Sequence, residues 1–379
     1  VEPEQQEAEL DVDFSPRGID LTSFPYNAWR KVTRATLMDD DKEMFLTGSP
    51  QGEPGLREAI RGYLHSARGV NCTADQIIIG AGSEYLMMLL TQILGTSRTI
   101  AMENPTYRQA YRVFESLGCQ MKPVEMDAHG MNVRLLEESG ADIAYVMPSH
   151  QYPMGVVMPV KRRQELLSWA GRGEKRYLIE DDYDSEFRYR GKPVPALQGM
   201  DIQGKVIYMG TFSKSIAPAI RVGYLVLPAP LLAVYKRKCG FYASTVSRID
   251  QKIIYQFLTE GHYERHLNRM RAIYKGKHDV LMSELKTLGT EFIVQGEYAG
   301  LHVLLKYRKA GMETWLVEEA AKARVGVYGI SGFLIAPLAD QKEKCFSTVV
   351  LGYARLNEDQ IREGIRRLAA AWKCSRPCP

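Results

Sequence analysis

Short apolar runs alternate along this chain with segments of helical periodicity. Residues 76–79, 99–102, 143–147, 177–179, 206–209 and 222–227 are near-continuous apolar runs. That pattern predicts strands buried on both faces. Between most of them, apolar positions recur three and four apart, at 84–94, 109–117 and 161–170, which predicts helices. Strands alternating with helices predict an α/β layer built on a mostly parallel sheet with helices on both faces. A long amphipathic stretch, 248–288, leads from this layer to a smaller α+β unit. There 300–306 and 348–353 read as strands, and 313–324 and 359–372 as helices.

Composition changes this picture little. The 379 residues are 45% hydrophobic and 25% charged, which is ordinary for a globular chain long enough for two domains. The net charge of +4 comes without a dense Lys/Arg stripe, so these residues give no reason to expect direct nucleic-acid binding. Six dispersed cysteines do not make a disulfide framework and suggest a reducing cytoplasm. No run of about 18 apolar residues predicts a membrane span, and the opening has no signal-peptide pattern. The polar, acidic start Val1-Glu-Pro-Glu-Gln-Gln-Glu-Ala-Glu reads as linker, with a further domain expected before it.

In open α/β sheets, ligands sit beyond the carboxyl ends of the strands, so candidate chemistry is sought there. After 76–79 comes Gly80-Ala-Gly-Ser-Glu84, opening a helix. Such a turn converges backbone N–H groups on an anion, although a plain tight turn fits equally well. After 177–179 comes Glu180-Asp-Asp-Tyr-Asp184, where acids at a buried strand end need partners, unless the loop is solvated. After 206–209 comes Gly210-Thr-Phe-Ser-Lys214, with Arg221 seven residues on. A part-buried Lys has a lowered pKa and a nucleophilic amine; a surface Lys is the alternative.

Together, an acid at a strand end, a Thr-x-Ser-Lys some 30 residues later and Arg at Lys plus seven resemble the fold-type I pyridoxal 5′-phosphate (PLP) enzymes. The resemblance implies that Lys214 carries PLP as an internal aldimine, that Asp181 pairs with the pyridine nitrogen, and that Tyr183 donates to the ring oxygen. Thr211, Ser213 and Arg221 would hold the phosphate with the backbone N–H groups of Ser83 and Glu84, Arg matching phosphate with its planar fork. Tyr107 would stack on the ring. From Phe14 to Trp372 the chain looks like the C-terminal aminotransferase-like domain of MocR/GabR-type transcription regulators. Phe24-Pro-Tyr-Asn-Ala-Trp29, Gly52-Glu-Pro-Gly-Leu-Arg57 and Pro148-Ser-His-Gln-Tyr-Pro-Met-Gly155 carry that likeness. In the last motif Tyr152 stands where aminotransferases usually have an Asn on the cofactor's ring oxygen.

The resemblance divides the chain into a linker remnant (1–13), an N-terminal segment of the small domain (14–45), a large PLP-binding domain (46–265) and a C-terminal small domain with the interdomain helix (266–379). It implies a homodimer that senses an amino effector, as an external aldimine, or PLP itself. DNA would be bound by a winged helix-turn-helix domain outside these residues. A catalytically active amino-acid aminotransferase is the alternative. Two departures bear on this. The Arg that commonly grips a substrate carboxylate aligns with Val350, leaving nearby Arg355 as the candidate, and Thr47 replaces a Tyr that usually reaches the partner's phosphate. His150 is expected to pack near the cofactor or touch the effector. His262 and His266 lack zincin spacing, Met87 and Met88 read as helix core, and Cys374 with Cys378 read as tail, so no metal site is expected.

Overall fold

Each apolar run of the large layer forms a strand. The computed structural model describes residues 10–38, 42–189 and 194–374. In chain order the strands are β1 (Val12–Asp13), β2 (Ile77–Gly80), β3 (Thr99–Asn104), β4 (Gln120–Asp127), β5 (Gly130–Met131), β6 (Ile143–Val146), β7 (Tyr177–Asp182), β8 (Val206–Thr211), β9 (Gly223–Val226), β10 (Phe292–Gln295), β11 (His302–Tyr307), β12 (Val325–Gly326), β13 (Tyr328–Gly329) and β14 (Thr348–Gly352). The large sheet runs in the order β2-β9-β8-β7-β6-β3-β4-β5. Neighbours from β8 to β4 are parallel. β9 is antiparallel to both β8 and β2, so the sheet is mixed at that edge. Helices cover both faces: Leu86, Leu90 and Phe114 pack on one, Leu166 and Trp169 on the other.

The smaller unit is an antiparallel sheet ordered β10-β11-β14-β13, backed by the helices His262–Leu285, Glu313–Lys322 and Glu358–Cys374. The amphipathic stretch 248–288 is not one helix. Gly261, at φ 69°, divides it into Arg248–Thr259 and His262–Leu285. The left-handed conformation that glycine tolerates turns the chain there.

The N-terminal boundaries also differ from expectation. Val12 and Asp13, placed in the linker by the sequence, form β1 parallel to β12, because Val12 and Phe14 fill the small unit's core. The rest of the 14–45 segment divides between the units. Phe24, Ala28 and Trp29 pack against Leu56, Ile60 and Phe257 of the large layer instead. Between these anchors, residues 14–20 form a strap over the junction. Residues 1–9 and the side chains of Cys374 and Cys378 lie outside the described residues. Among the described residues, no helix is long and apolar enough to cross a membrane and no metal-binding cluster occurs.

Candidate functional site

The acids that end β7 separate by strand alternation. Successive side chains point to opposite faces, so Glu180 and Asp182 share a face and Asp181 has the other. Glu180 accepts the backbone N–H groups of Leu197 and Gln198 at 2.7 and 2.8 Å. Asp182 accepts from Arg68 at 2.8 Å and from the Tyr208 hydroxyl at 2.6 Å. These two carboxylates are structural, each buried with partners. Among the described residues Asp181 has no ion-pair partner; it accepts a hydrogen bond from the Tyr145 hydroxyl. Burial pushes its carboxyl from an ordinary 3.8 up to about 7, against the pull of Tyr145 and with help from Asp182 and Asp184. A buried acid so placed favours a partner that brings a proton or a positive charge.

Asp181 lies on the wall of a cavity of about 330 Å³, and Lys214 lies on the same wall. Lys214 follows β8 by three residues. Burial, together with the nearby charge of Arg17, brings its amine from 10.5 down to about 8, although Asp184 opposes the shift. The amine donates to the backbone carbonyl of Arg17 at 2.7 Å. An amine near neutrality and a buried acid, on one cavity, fit a ring that carries an aldehyde and a basic nitrogen.

The remaining wall suits phosphate and ring. The helix Gly82–Leu94 begins at the cavity with Ser83 and Glu84 in its first turn. Helix N-termini present free N–H groups and favour anions. Arg221 lies over that terminus. Gly82 has φ +85° and no room for a side chain, since an added Cβ would collide with the Arg221 guanidinium. Arg221 itself holds a left-handed backbone at φ 52°, a conformation that costs a non-glycine residue about 1–3 kcal/mol and clusters at functional sites. Its guanidinium is bonded to Glu84 at 2.6 Å. Thr211 and Ser213 hydroxyls, 2.9 Å apart, complete this corner.

Tyr107, Tyr152 and Tyr183 form the aromatic side. Tyr152 meets Tyr107 and Tyr183 edge-on, with ring centroids 6.0 and 6.1 Å apart. All three line the cavity. Volume alone would favour a larger cleft of about 780 Å³ near Pro105, Gln295 and Lys306. There Glu125 and Lys342 already pair at 3.2 Å. Chemistry selects the smaller cavity.

Ten of the residues singled out in the sequence therefore converge on one wall, from Ser83 to Arg221. Two do not. Arg355 is largely exposed, its guanidinium 3.9 Å from Asp13 and its stem packed against Gly18, so it points away from the cavity. His150 is buried behind Tyr183, with Nδ1 2.9 Å from Asp184 and 3.1 Å from the Tyr183 hydroxyl. It touches the aromatic wall from outside. Five residues at the site were not singled out: Pro16, Arg17, Gln109 and Met147 on the wall, and Tyr145 bonded to Asp181. Tyr145, a polar hydroxyl in an otherwise apolar strand, carried a readable signal. Arg17 gave none, because nothing local ties an N-terminal strap to a lysine almost 200 residues away.

Residues 20–368 match the family model for aminotransferase class I and II. The HTH-type transcriptional regulator YdeL of Bacillus subtilis is 39% identical over 98% of this chain and 80% of its own length. The protein MocR of Rhizobium meliloti, described as a probable rhizopine catabolism regulatory protein, is 30% identical over 95% of this chain and 72% of its own. The multiple substrate aminotransferase of Thermococcus profundus superposes with a TM-score of 0.84, at 25% identity over 97% of this chain and 92% of that one. PLP is the cofactor of this family, and Lys214, Asp181, Arg221 and the three tyrosines fit it. The chain belongs to the aminotransferase class I and II family, in the branch of MocR-type HTH transcriptional regulators.

Proposed function

We propose that this chain is the PLP-binding, effector-sensing and dimerisation domain of a cytoplasmic transcription regulator. A winged helix-turn-helix domain outside these residues would contact DNA. One observation carries the reading: an amine lowered to about 8 and an acid raised to about 7 share a single cavity. Bound PLP supplies an aldehyde that condenses with a primary amine and a ring that withdraws electrons.

Each residue of the chain then has a task. Lys214 presents its amine, and burial keeps a useful fraction unprotonated. Asp181 would keep the pyridine nitrogen protonated. Arg221 and the start of the Gly82–Leu94 helix would bind the phosphate, with Thr211 and Ser213. Tyr107 would pack against the ring, and Tyr152 and Tyr183 would offer it their hydroxyls. The strap gives the site a route outward. The Lys214 amine holds the Arg17 carbonyl, so a change at this amine alters the anchoring of residues 14–20. That segment runs directly into β1 and the chain's N-terminal end.

A second reading, an aminotransferase acting on an amino acid, is favoured by the completeness of the cofactor wall. The two separate on turnover. The regulator reading expects amino compounds to change the spectrum of the PLP-loaded protein with no steady keto-acid production when pyruvate is supplied as acceptor. Continuous keto-acid formation over many turnovers would support the enzyme instead.

A further inference from the structure

We propose that Arg17 recognises the carboxylate of the effector, which makes the effector class an amino acid rather than a simple amine. The inference rests on the PLP-binding reading above and goes further in naming the ligand's second group.

The cavity wall carries three cations: Arg17, Lys214 and Arg221. Arg221 is bonded to Glu84 and stands at the anion-binding helix end. Lys214 is the reacting amine. Arg17 remains, and among the described residues it has no acidic partner. The acids nearest to it in sequence are committed elsewhere. Asp13 accepts from the Tyr328 hydroxyl at 2.8 Å. Asp20 is held by Lys277 at 2.8 Å and by Thr22 at 2.6 Å. A guanidinium that faces a cavity without an anion is suited to an anionic ligand.

The strap fixes the backbone that carries this exposed side chain. Upstream, Phe14 exchanges backbone hydrogen bonds with Gly326 and Gly352 at 3.0 and 2.8 Å. A Cβ on Gly352 would collide with Pro16 Cα, so the chain is pressed against the end of β14. Downstream, the Asp20 backbone N–H donates to the Tyr274 hydroxyl at 3.0 Å. Between these anchors the Arg17 carbonyl meets Lys214 Nζ at 2.7 Å. The Arg17 side chain lies by the Tyr152 hydroxyl, and its charge is felt at Tyr107, Tyr152 and Lys214. An effector amine placed at Lys214 therefore brings a carboxylate one or two carbons away within reach of Arg17. Val350, fully buried in the core, offers no competing charge.

The test uses PLP-loaded protein and three probes: alanine, ethylamine and propionate. Ethylamine has alanine's amine without the carboxylate, and propionate has the carboxylate without the amine. In wild type, alanine should perturb the long-wavelength band of the lysine-bound cofactor at lower concentration than ethylamine. Arg17→Gln should reduce the preference for alanine over ethylamine roughly ten-fold or more. Propionate should raise the pH midpoint of the band in wild type, by neutralising Arg17, and have no effect in Arg17→Gln. Arg17→Lys should recover part of the alanine preference, and Arg355→Gln should behave as wild type. If Arg17→Gln keeps both the alanine-to-ethylamine ratio and the propionate effect, or if wild type itself shows neither, Arg17 is not the carboxylate site. A wild-type protein with no such band at all would overturn the PLP reading itself.

Discussion

Replacing Asp181 with Asn should stabilise the cofactor-free protein at neutral pH while impairing cofactor retention. The carboxyl is raised from 3.8 to about 7, first by burial. Between these values the folded state binds more protons than the unfolded state, so stability falls as pH rises through the window. The cost is complete above pH about 7. At about 1.36 kcal/mol per unit, it is on the order of 4 kcal/mol. The amide oxygen of the variant would still accept from Tyr145, and its side chain would carry no charge to bury. With an unfolding entropy of about 2.1 cal/mol/K per residue over this chain, that corresponds to a rise of roughly 5 °C in Tm. The assay is thermal unfolding of PLP-stripped wild type and Asp181→Asn at pH 8 and pH 4.5. The difference should be large at pH 8 and mostly gone at pH 4.5. With PLP bound the order should reverse at pH 8, since only the carboxylate answers a protonated ring nitrogen. A variant that melts at or below wild type at pH 8 without PLP would refute this account of the acid.

The neighbouring acid should behave oppositely. Asp182→Asn leaves the buried Arg68 guanidinium without its counter-ion, and should cost about 3–5 kcal/mol with or without PLP, read by chemical denaturation. Glu84→Gln should tighten PLP a few-fold, because the carboxylate that now occupies Arg221 at 2.6 Å also repels a phosphate; the expected gain is below about 1 kcal/mol, measured by equilibrium titration. Unchanged or weaker binding would place the phosphate away from Arg221.

The sequence exposed the site far better than it exposed the frame around the site. Strands such as β6 and β7 were legible because burial on both faces demands uninterrupted apolar residues. β4 was not, since ahead of its short pairing with β5 its outer side is unpaired, which lets it carry Lys122 and Pro123 on exposed positions. Lys214, Asp181 and Arg221 were legible because each lies at a fixed offset from an apolar run. Separating Asp181 from Asp182 needed only alternation. Arg355 was misplaced for the opposite reason: closeness in sequence to a strand end says nothing about which way a side chain points once the strand has ended. The strap lies beyond sequence reasoning of this kind. Its role depends on Gly352 admitting Pro16 closely, and on a contact between residues 17 and 214.

The central claim is a covalent one, and a chemical trap tests it directly. PLP-loaded protein is reduced with borohydride, digested and mapped by mass spectrometry. The account predicts a pyridoxyl group on Lys214, absent from Lys214→Ala prepared in the same way. Label on a different lysine in wild type, or none, would contradict it.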